Sequence, residues 1–195
     1  MTGHGREPLK NAQETRGILG KLTQLSASSE PFDRMPLSAL IEEIVAPHRH
    51  FGVAINVALA PRDAPEPIGR RNPVILYGLG NLLENAVDFA RERLDVTAAW
   101  SAEEIELTIN DDGPGFAPEI MDRIGEPYVT GRRNLRHSVD VEAGGLGLGL
   151  FIAKTLLERS GAKLIFANRA APARGASVRV RWARIDFEES PAPPL

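Results

Sequence analysis

The order of three residue clusters is what most constrains this chain. The first, Asn81-Leu82-Leu83-Glu84-Asn85-Ala86-Val87-Asp88-Phe89, sits inside a helical pattern. The second, Asp111-Asp112-Gly113-Pro114-Gly115-Phe116, follows a strand pattern directly. The third, Gly144-Gly145-Leu146-Gly147-Leu148-Gly149-Leu150, leads into another helix. Each alone is a weak signal. Together they run helix amides, strand-tip carboxylate with two glycines, a connection of about 30 residues, and a glycine string opening a helix, an order hard to reach by accident. Compact domains keep so long a connection chiefly where it binds something or moves.

Each cluster has a plain reading and a chemical one. Asn81, Asn85 and Asp88 fall at i, i+4 and i+7, so one helix face carries two amides and a carboxylate, while Leu79, Leu82, Leu83 and Val87 are left for a core. Those groups are either solvated polar residues or an oxygen-rich face for a hard cation such as magnesium; mid-helix asparagine is mildly unfavourable, because its amide competes for the backbone. The Asp-Gly and Gly-Pro dipeptides suit an ordinary turn. A buried Asp111 at a strand tip would instead accept a hydrogen bond from the exocyclic amino group of adenine. It would refuse guanine, whose carbonyl sets two acceptors face to face at a cost of about 1–3 kcal/mol. Consecutive amides entering the third helix form a phosphate cradle or a site of close packing. No Gly-Lys-Ser/Thr follows, so this is not a P-loop, and no preceding strand supports a dinucleotide fingerprint.

Composition narrows the classes. The 195 residues carry 23 Lys+Arg against 26 Asp+Glu, a net charge of −3, with 43% hydrophobic and 25% charged residues, as in soluble globular domains. No run approaches the roughly 18–20 apolar residues of a membrane span, and the segment Met1-Thr2-Gly3-His4-Gly5 lacks the apolar core of a secretion signal. Absence of cysteine excludes disulfides, thiolate metal sites and cysteine nucleophiles within the chain. The slightly acidic balance argues against duplex DNA. The expectation is no nucleic-acid partner and no membrane contact by this stretch.

Periodicity predicts a helix over residues 9–25 with one apolar stripe, a connector over 26–32, and a second helix opening at Pro36 and ended by Pro47. Val53, Ile55, Val57 and Leu59 alternate as a strand. Residues 61–73 contain four prolines and read as loop. A helix from Pro73 to about Arg93, strands at 96–100 and 105–111, a weakly helical piece at 118–124, a helix at 146–159 and strands at 163–167 and 177–183 follow. The alternation predicts an α/β (α+β) two-layer sandwich, a mixed sheet with helices on one face, preceded by a helix. Residues 1–8 are expected to be disordered or added in cloning, 31–186 to form the main domain, and 187–195 to be a disordered tail.

At this point the chain resembles the nucleotide-binding domain of sensor histidine kinases, in the ATPase superfamily that includes gyrase, MutL and the ninety-kilodalton heat-shock chaperone, whose domain has the Bergerat-type ATP-binding fold. Residues 81–85 look like the N box, 111–115 like the first glycine box, and 145–149 like the second. Gly125-Glu126-Pro127-Tyr128-Val129-Thr130 looks like the phenylalanine box with tyrosine in the aromatic place, and Gly175-Ala176-Ser177 stands where a last glycine often precedes the final strand. The spelling of residues 34–38, 125–130 and 146–162 is similar to RegB/PrrB/ActS-type kinases of alphaproteobacteria.

The resemblance implies ATP and Mg2+ as ligands, with Asn85 on magnesium and Asn81 beside the triphosphate. It implies Asp111 on adenine, Gly113 and Gly115 admitting the base, and Phe89 packing near it. Tyr128, Thr130, Arg132 and Arg133 would belong to a lid at about 116–144, and Gly145, Leu146, Gly147, Leu148 and Gly149 would bend that lid over the phosphates. Arg136 and His137 complete a local positive cluster. Many relatives carry Lys or Arg where this chain has Asp88, so Asp88 is read as orienting water on the ion. Glu84 is either a base for an incoming imidazole or a neighbouring surface acid.

A histidine kinase passes its γ-phosphoryl group to a histidine in a preceding helix, and none of His4, His48, His50 and His137 has that setting. Residues 9–30 look like the end of a dimerisation region without its acceptor half, and the RegB-type redox cysteine is missing from the stretch Glu14-Thr15-Arg16. The resemblance therefore implies a cytoplasmic kinase catalytic module. Its partners would be an acceptor-histidine helix and a response regulator, within a homodimeric full-length protein anchored in the inner membrane. The alternatives are an ATPase, disfavoured by an amide at Asn81 where such enzymes place a glutamate, and a non-catalytic phosphotransfer scaffold.

Overall fold

A row of alternate residues explains how the sheet meets its helices. In strand β5 (Glu104–Asp111), Ile105, Leu107, Ile109 and Asp111 are buried, while Glu104, Glu106, Thr108 and Asn110 between them are half-buried. Period-two alternation makes one face apolar and the other polar. The computed structural model describes residues 34–127, 129 and 148–189. The helix expected at 9–25, most of the expected lid and residues 190–195 lie outside that range.

Strand β1 (Arg34–Pro36) enters helix α1 (Leu37–Val45). Strands β2 (Ala54–Pro61) and β3 (Ile68–Arg70) precede helix α2 (Pro73–Phe89). Next come β4 (Arg93–Trp100), β5, a 3-10 turn at Pro118–Arg123, helix α3 (Gly149–Arg159), β6 (Lys163–Asn168), β7 (Ala176–Ala183) and helix α4 (Arg184–Glu189). The main sheet has the order β2-β4-β5-β7-β6. Its β2–β4 pair is parallel and the others antiparallel. The expected mixed sheet is therefore present.

Register stacks the apolar row across the sheet. Ile109 lies between Val96 and Val178, and Leu107 between Ala98 and Val180. Those residues share one core with Leu40 and Ile41 of α1, Leu79, Leu82 and Leu83 of α2, and Ala153 and Leu157 of α3. At Gly78 a Cβ would stand 2.8 Å from Leu157 Cγ, so a glycine lets α2 and α3 cross closely. Each fully buried Leu or Ile contributes roughly 1.5–3 kcal/mol by leaving water. Outside this layer, Glu106 accepts from Arg181 Nε. No helix among the described residues is long and apolar enough to cross a membrane.

Several boundaries differ from the sequence expectation. Pro36 is extended (φ −68°, ψ 154°) and precedes the helix rather than opening it, because β1 pairs antiparallel with β3 up to Pro36 and Ile68. The same pairing places a strand in the proline-rich stretch read as loop. Helix α2 stops at Phe89 rather than near Arg93. The Arg91 N–H donates to Asp112 Oδ1 (2.8 Å) and the Glu92 N–H to both its oxygens (3.2 Å each), which draws the chain off the helix into β4. The tail expected from residue 187 starts too early: Arg184–Glu189 is helical, and Phe187, 2% exposed, meets the Trp182 ring edge-on at 5.9 Å. One aromatic among acids carries no periodicity, yet its burial decides the local structure.

Candidate functional site

A cavity of about 440 Å³ opens between α2, the carboxyl end of β5, the start of β7 and the segment after β5. Asn85, Phe89, Asp111 and Gly115 line it, with apolar walls from Leu82, Ile109, Phe116, Ile124, Leu150 and Val178. An apolar slot with few polar groups is the usual form of a small-molecule site.

Asp111 is the next member of the buried β5 row, which explains its 4% exposure. Its Oδ1 accepts the N–H of Gly113 (2.8 Å) and of Ala176 (3.1 Å), and its backbone carbonyl accepts Arg169 Nη1 (3.0 Å). Among the described residues Oδ2 accepts no hydrogen bond, so it is the oxygen left for a ligand. Burial pushes the Asp111 carboxyl above the ordinary carboxylate value. The two backbone N–H bonds pull it down, Asp112 pushes it up and Arg169 pulls it down. At Asp112 desolvation also disfavours the charge, but N–H groups of Arg91, Glu92 and Arg93 outweigh it and hold that carboxyl below the ordinary value. Adjacent carboxylates thus shift in opposite directions.

The glycines around Asp111 are fixed by the close approach of neighbouring atoms. A Cβ on Gly113 would lie 2.2 Å from the Phe89 carbonyl oxygen, and one on Gly175 (φ +107°) 2.0 Å from that of Asp111. A Cβ on Gly115 (φ +77°) would lie 2.5 Å from Asn168 Oδ1. Positive φ already favours glycine at the latter two. What the structure shows for Gly113 and Gly115 is packing: they let the strand-end loop close on the end of α2 and on Asn168 of β6.

On α2, Asn81 Nδ2 donates to the Tyr77 carbonyl (2.8 Å) and Asn85 Nδ2 to the Asn81 carbonyl (2.7 Å). Each amide nitrogen is thus tied one turn back along its own helix, which leaves the side-chain oxygen as the remaining acceptor. Asn85 lines the cavity; Asn81, half-buried, does not. Glu84 and Asp88 are exposed and also lie off its walls. At Gly149 a Cβ would come within 3.0 Å of Asn85 Nδ2 and 3.9 Å of Asn81 Oδ1, so the start of α3, with Leu148 as its capping residue, rests against the asparagine pair. Tyr128, Thr130, Arg132, Arg133, Gly145, Leu146 and Gly147 lie outside the described residues.

No group of three or more His, Cys, Asp or Glu that could hold a metal occurs among the described residues. Asn85 offers one neutral oxygen, which fits magnesium carried largely by phosphates and water rather than caged by protein. Sequence reasoning missed Phe116, Ile124, Leu150 and Val178 as walls, and Asn168 and Arg169 as supports. The period-two row carries Val178, and Phe116 and Leu150 end the second and third clusters.

Residues 75–186 match the family described as "Histidine kinase-, DNA gyrase B-, and HSP90-like ATPase". The chain is 40% identical over 168 residues to sensor histidine kinase RegB of Cereibacter sphaeroides, covering 84% of this chain and 36% of RegB. It is 27% identical over 122 residues to CpxA of Escherichia coli, covering 63% of this chain and 25% of CpxA. The chain thus spans well under half the length of these relatives. Among solved structures, the mycobacterial sensor histidine kinase MprB superposes with a TM-score of 0.60 at 21% identity, covering 77% of this chain and 97% of that one. Full-length ShkA in complex with AMPPNP gives 0.55 at 22% identity, over 93% of this chain and 39% of ShkA. The ordered clusters, the mixed sheet and these likenesses agree: the chain belongs to the family of histidine kinase-, DNA gyrase B- and HSP90-like ATPases, on its sensor histidine kinase side.

Proposed function

We propose that this chain is the ATP-binding catalytic module of a two-component sensor histidine kinase, passing the γ-phosphoryl group of ATP to a histidine outside the chain. The observation that carries this reading is Asp111, buried at a strand tip and lining the cavity, with Oδ1 held by two N–H groups and Oδ2 accepting no hydrogen bond among the described residues. Such a carboxylate suits the 6-amino group of adenine, with Phe89 beside the ring.

Asn85 would hold Mg2+, with Asn81 beside the triphosphate and Asp88 orienting water on the ion. Bound there, the ion supplies charge neutralisation. Tyr128, Thr130, Arg132 and Arg133 would close over the nucleotide, with Gly145, Leu146, Gly147, Leu148 and Gly149 turning back into α3. In the transfer step an imidazole nitrogen of the acceptor attacks the γ-phosphorus and forms an N–P bond. The bond to the β,γ-bridging oxygen breaks, its electron pair leaves with ADP, and the imidazole proton passes to a base. Glu84, exposed beside Asn85, suits that last role because an acceptor helix would arrive from outside. The full protein would be a homodimer anchored in the inner membrane with this module in the cytoplasm, handing its phosphoryl group to a response regulator.

The test is incubation of the chain with γ-labelled ATP, with and without a separately made acceptor-helix fragment. Transfer to the fragment, with very slow hydrolysis in its absence, is expected. Rapid acceptor-free turnover would favour an ATPase, although an amide at Asn81 cannot take a proton from water.

A further inference from the structure

Asn168, the last residue of β6, belongs to none of the three clusters, yet it grips the loop that follows Asp111. Its Oδ1 accepts the Phe116 N–H at 2.7 Å and its Nδ2 donates to the Phe116 carbonyl at 2.9 Å. One side-chain amide thus satisfies both backbone groups of a residue 52 positions away, as a neighbouring strand would. Phe116 lines the cavity and meets the Phe166 ring of β6 edge-on at 6.1 Å. Gly115 leaves the space that Asn168 Oδ1 fills. The next residue ties the β6–β7 connection to the strand tip: the Arg169 N–H donates to the Gly175 carbonyl (3.0 Å), and its Nη1 to the carbonyl of Asp111.

We propose that Asn168 is a positioning residue for the nucleotide base, setting the Phe116 wall of the cavity opposite Asp111 by clamping the Phe116 backbone. Only an amide does this, because the Phe116 backbone presents one donor and one acceptor. Aspartate would keep the bond from the N–H and set a second acceptor against the carbonyl. The inference rests on the nucleotide reading of the cavity and deepens it.

Calorimetric titrations with adenosine and with an unhydrolysable ATP analogue plus Mg2+ test it, run well below each variant's unfolding midpoint. Asn168→Ala should weaken both ligands by the same factor, about fivefold, the size of one net hydrogen bond. Amide exchange at Phe116 should quicken, with the apo unfolding midpoint little changed. Asn168→Asp, nearly isosteric, should weaken both as well and serves if the alanine variant fails to fold. Unchanged adenosine affinity in a folded variant overturns the proposal, as does a loss confined to the ATP analogue, which would put the effect at the phosphates. Failure of the unsubstituted chain to bind either ligand would instead overturn the nucleotide reading itself.

Discussion

At the strand end of the cavity, Asp111 is held by backbone from β7 and from its own loop and by Arg169 at its carbonyl, and that loop is held in turn by Asn168. At the helix end, Asn81 and Asn85 are fastened, among the described residues, to carbonyls one turn back in α2. Several elements converge on the first region; in the second, each amide nitrogen is tied within its own helix. The difference teaches a division of labour. On the proposed reading, a base of fixed shape would be read by a group held from several sides, whereas phosphates and their cation would be met by acceptors that the ligand itself completes.

The largest expected effect comes from breaking the strand end. Asp111→Ala removes the acceptor and strands the Gly113 and Ala176 N–H groups, so nucleotide affinity should fall about 100-fold and preference for adenine over guanine should vanish. Parallel titrations with ATP and GTP analogues check this. Asn85→Ala acts at the other end. Magnesium-dependent binding of an ATP analogue should weaken about tenfold while adenosine affinity stays unchanged, and an equal loss for both ligands would erase the distinction between the ends.

The two adjacent carboxylates give a pH test. Burial raises the Asp111 carboxyl, so the folded chain binds that proton at a higher pH than the unfolded chain. Its charge therefore costs stability at neutral pH, and that cost is relieved as pH falls toward the raised value. Nucleotide affinity should decline over the same window, because the ionised acceptor is lost. Asp112 is held low, so its contribution is present above the ordinary carboxylate value and is lost as pH falls through its own lowered value. Asp111→Asn should accordingly raise the thermal midpoint at neutral pH while weakening nucleotide binding. A variant that loses both stability and binding would show that the charge supports the fold.

The smallest effect sharpens the contrast from outside the site. Gly80 lies in the middle of α2, and a Cβ added there would meet nothing within 4 Å among the described residues beyond its own helix, so the position should tolerate alanine. Gly80→Ala should stabilise the chain by about 1 kcal/mol in chemical denaturation and leave nucleotide affinity alone.

How legible each end was follows from the same physics. Asp111 showed itself in sequence because a period-two row led to it and glycines followed; Asn81 and Asn85 because helical spacing set them on one face. Asn168 and Arg169 gave no signal, since the partners of their side chains lie more than 50 positions away and a lone polar residue ending a strand looks like any other. The β1–β3 pair hid among prolines, and Phe187 among acids, because pairing and burial there depend on elements distant in the chain. Local pattern named the groups that would touch a ligand, and tertiary contact supplied the groups that hold them.

A crystal structure of the chain with an unhydrolysable ATP analogue and Mg2+ tests the central claim most directly. The account predicts one nucleotide in the cavity, its 6-amino nitrogen within hydrogen-bond distance of Asp111 Oδ2 and its phosphate-bound ion on Asn85 Oδ1. A nucleotide seated elsewhere, or one that reaches Asn85 while its base lies away from Asp111, would contradict it.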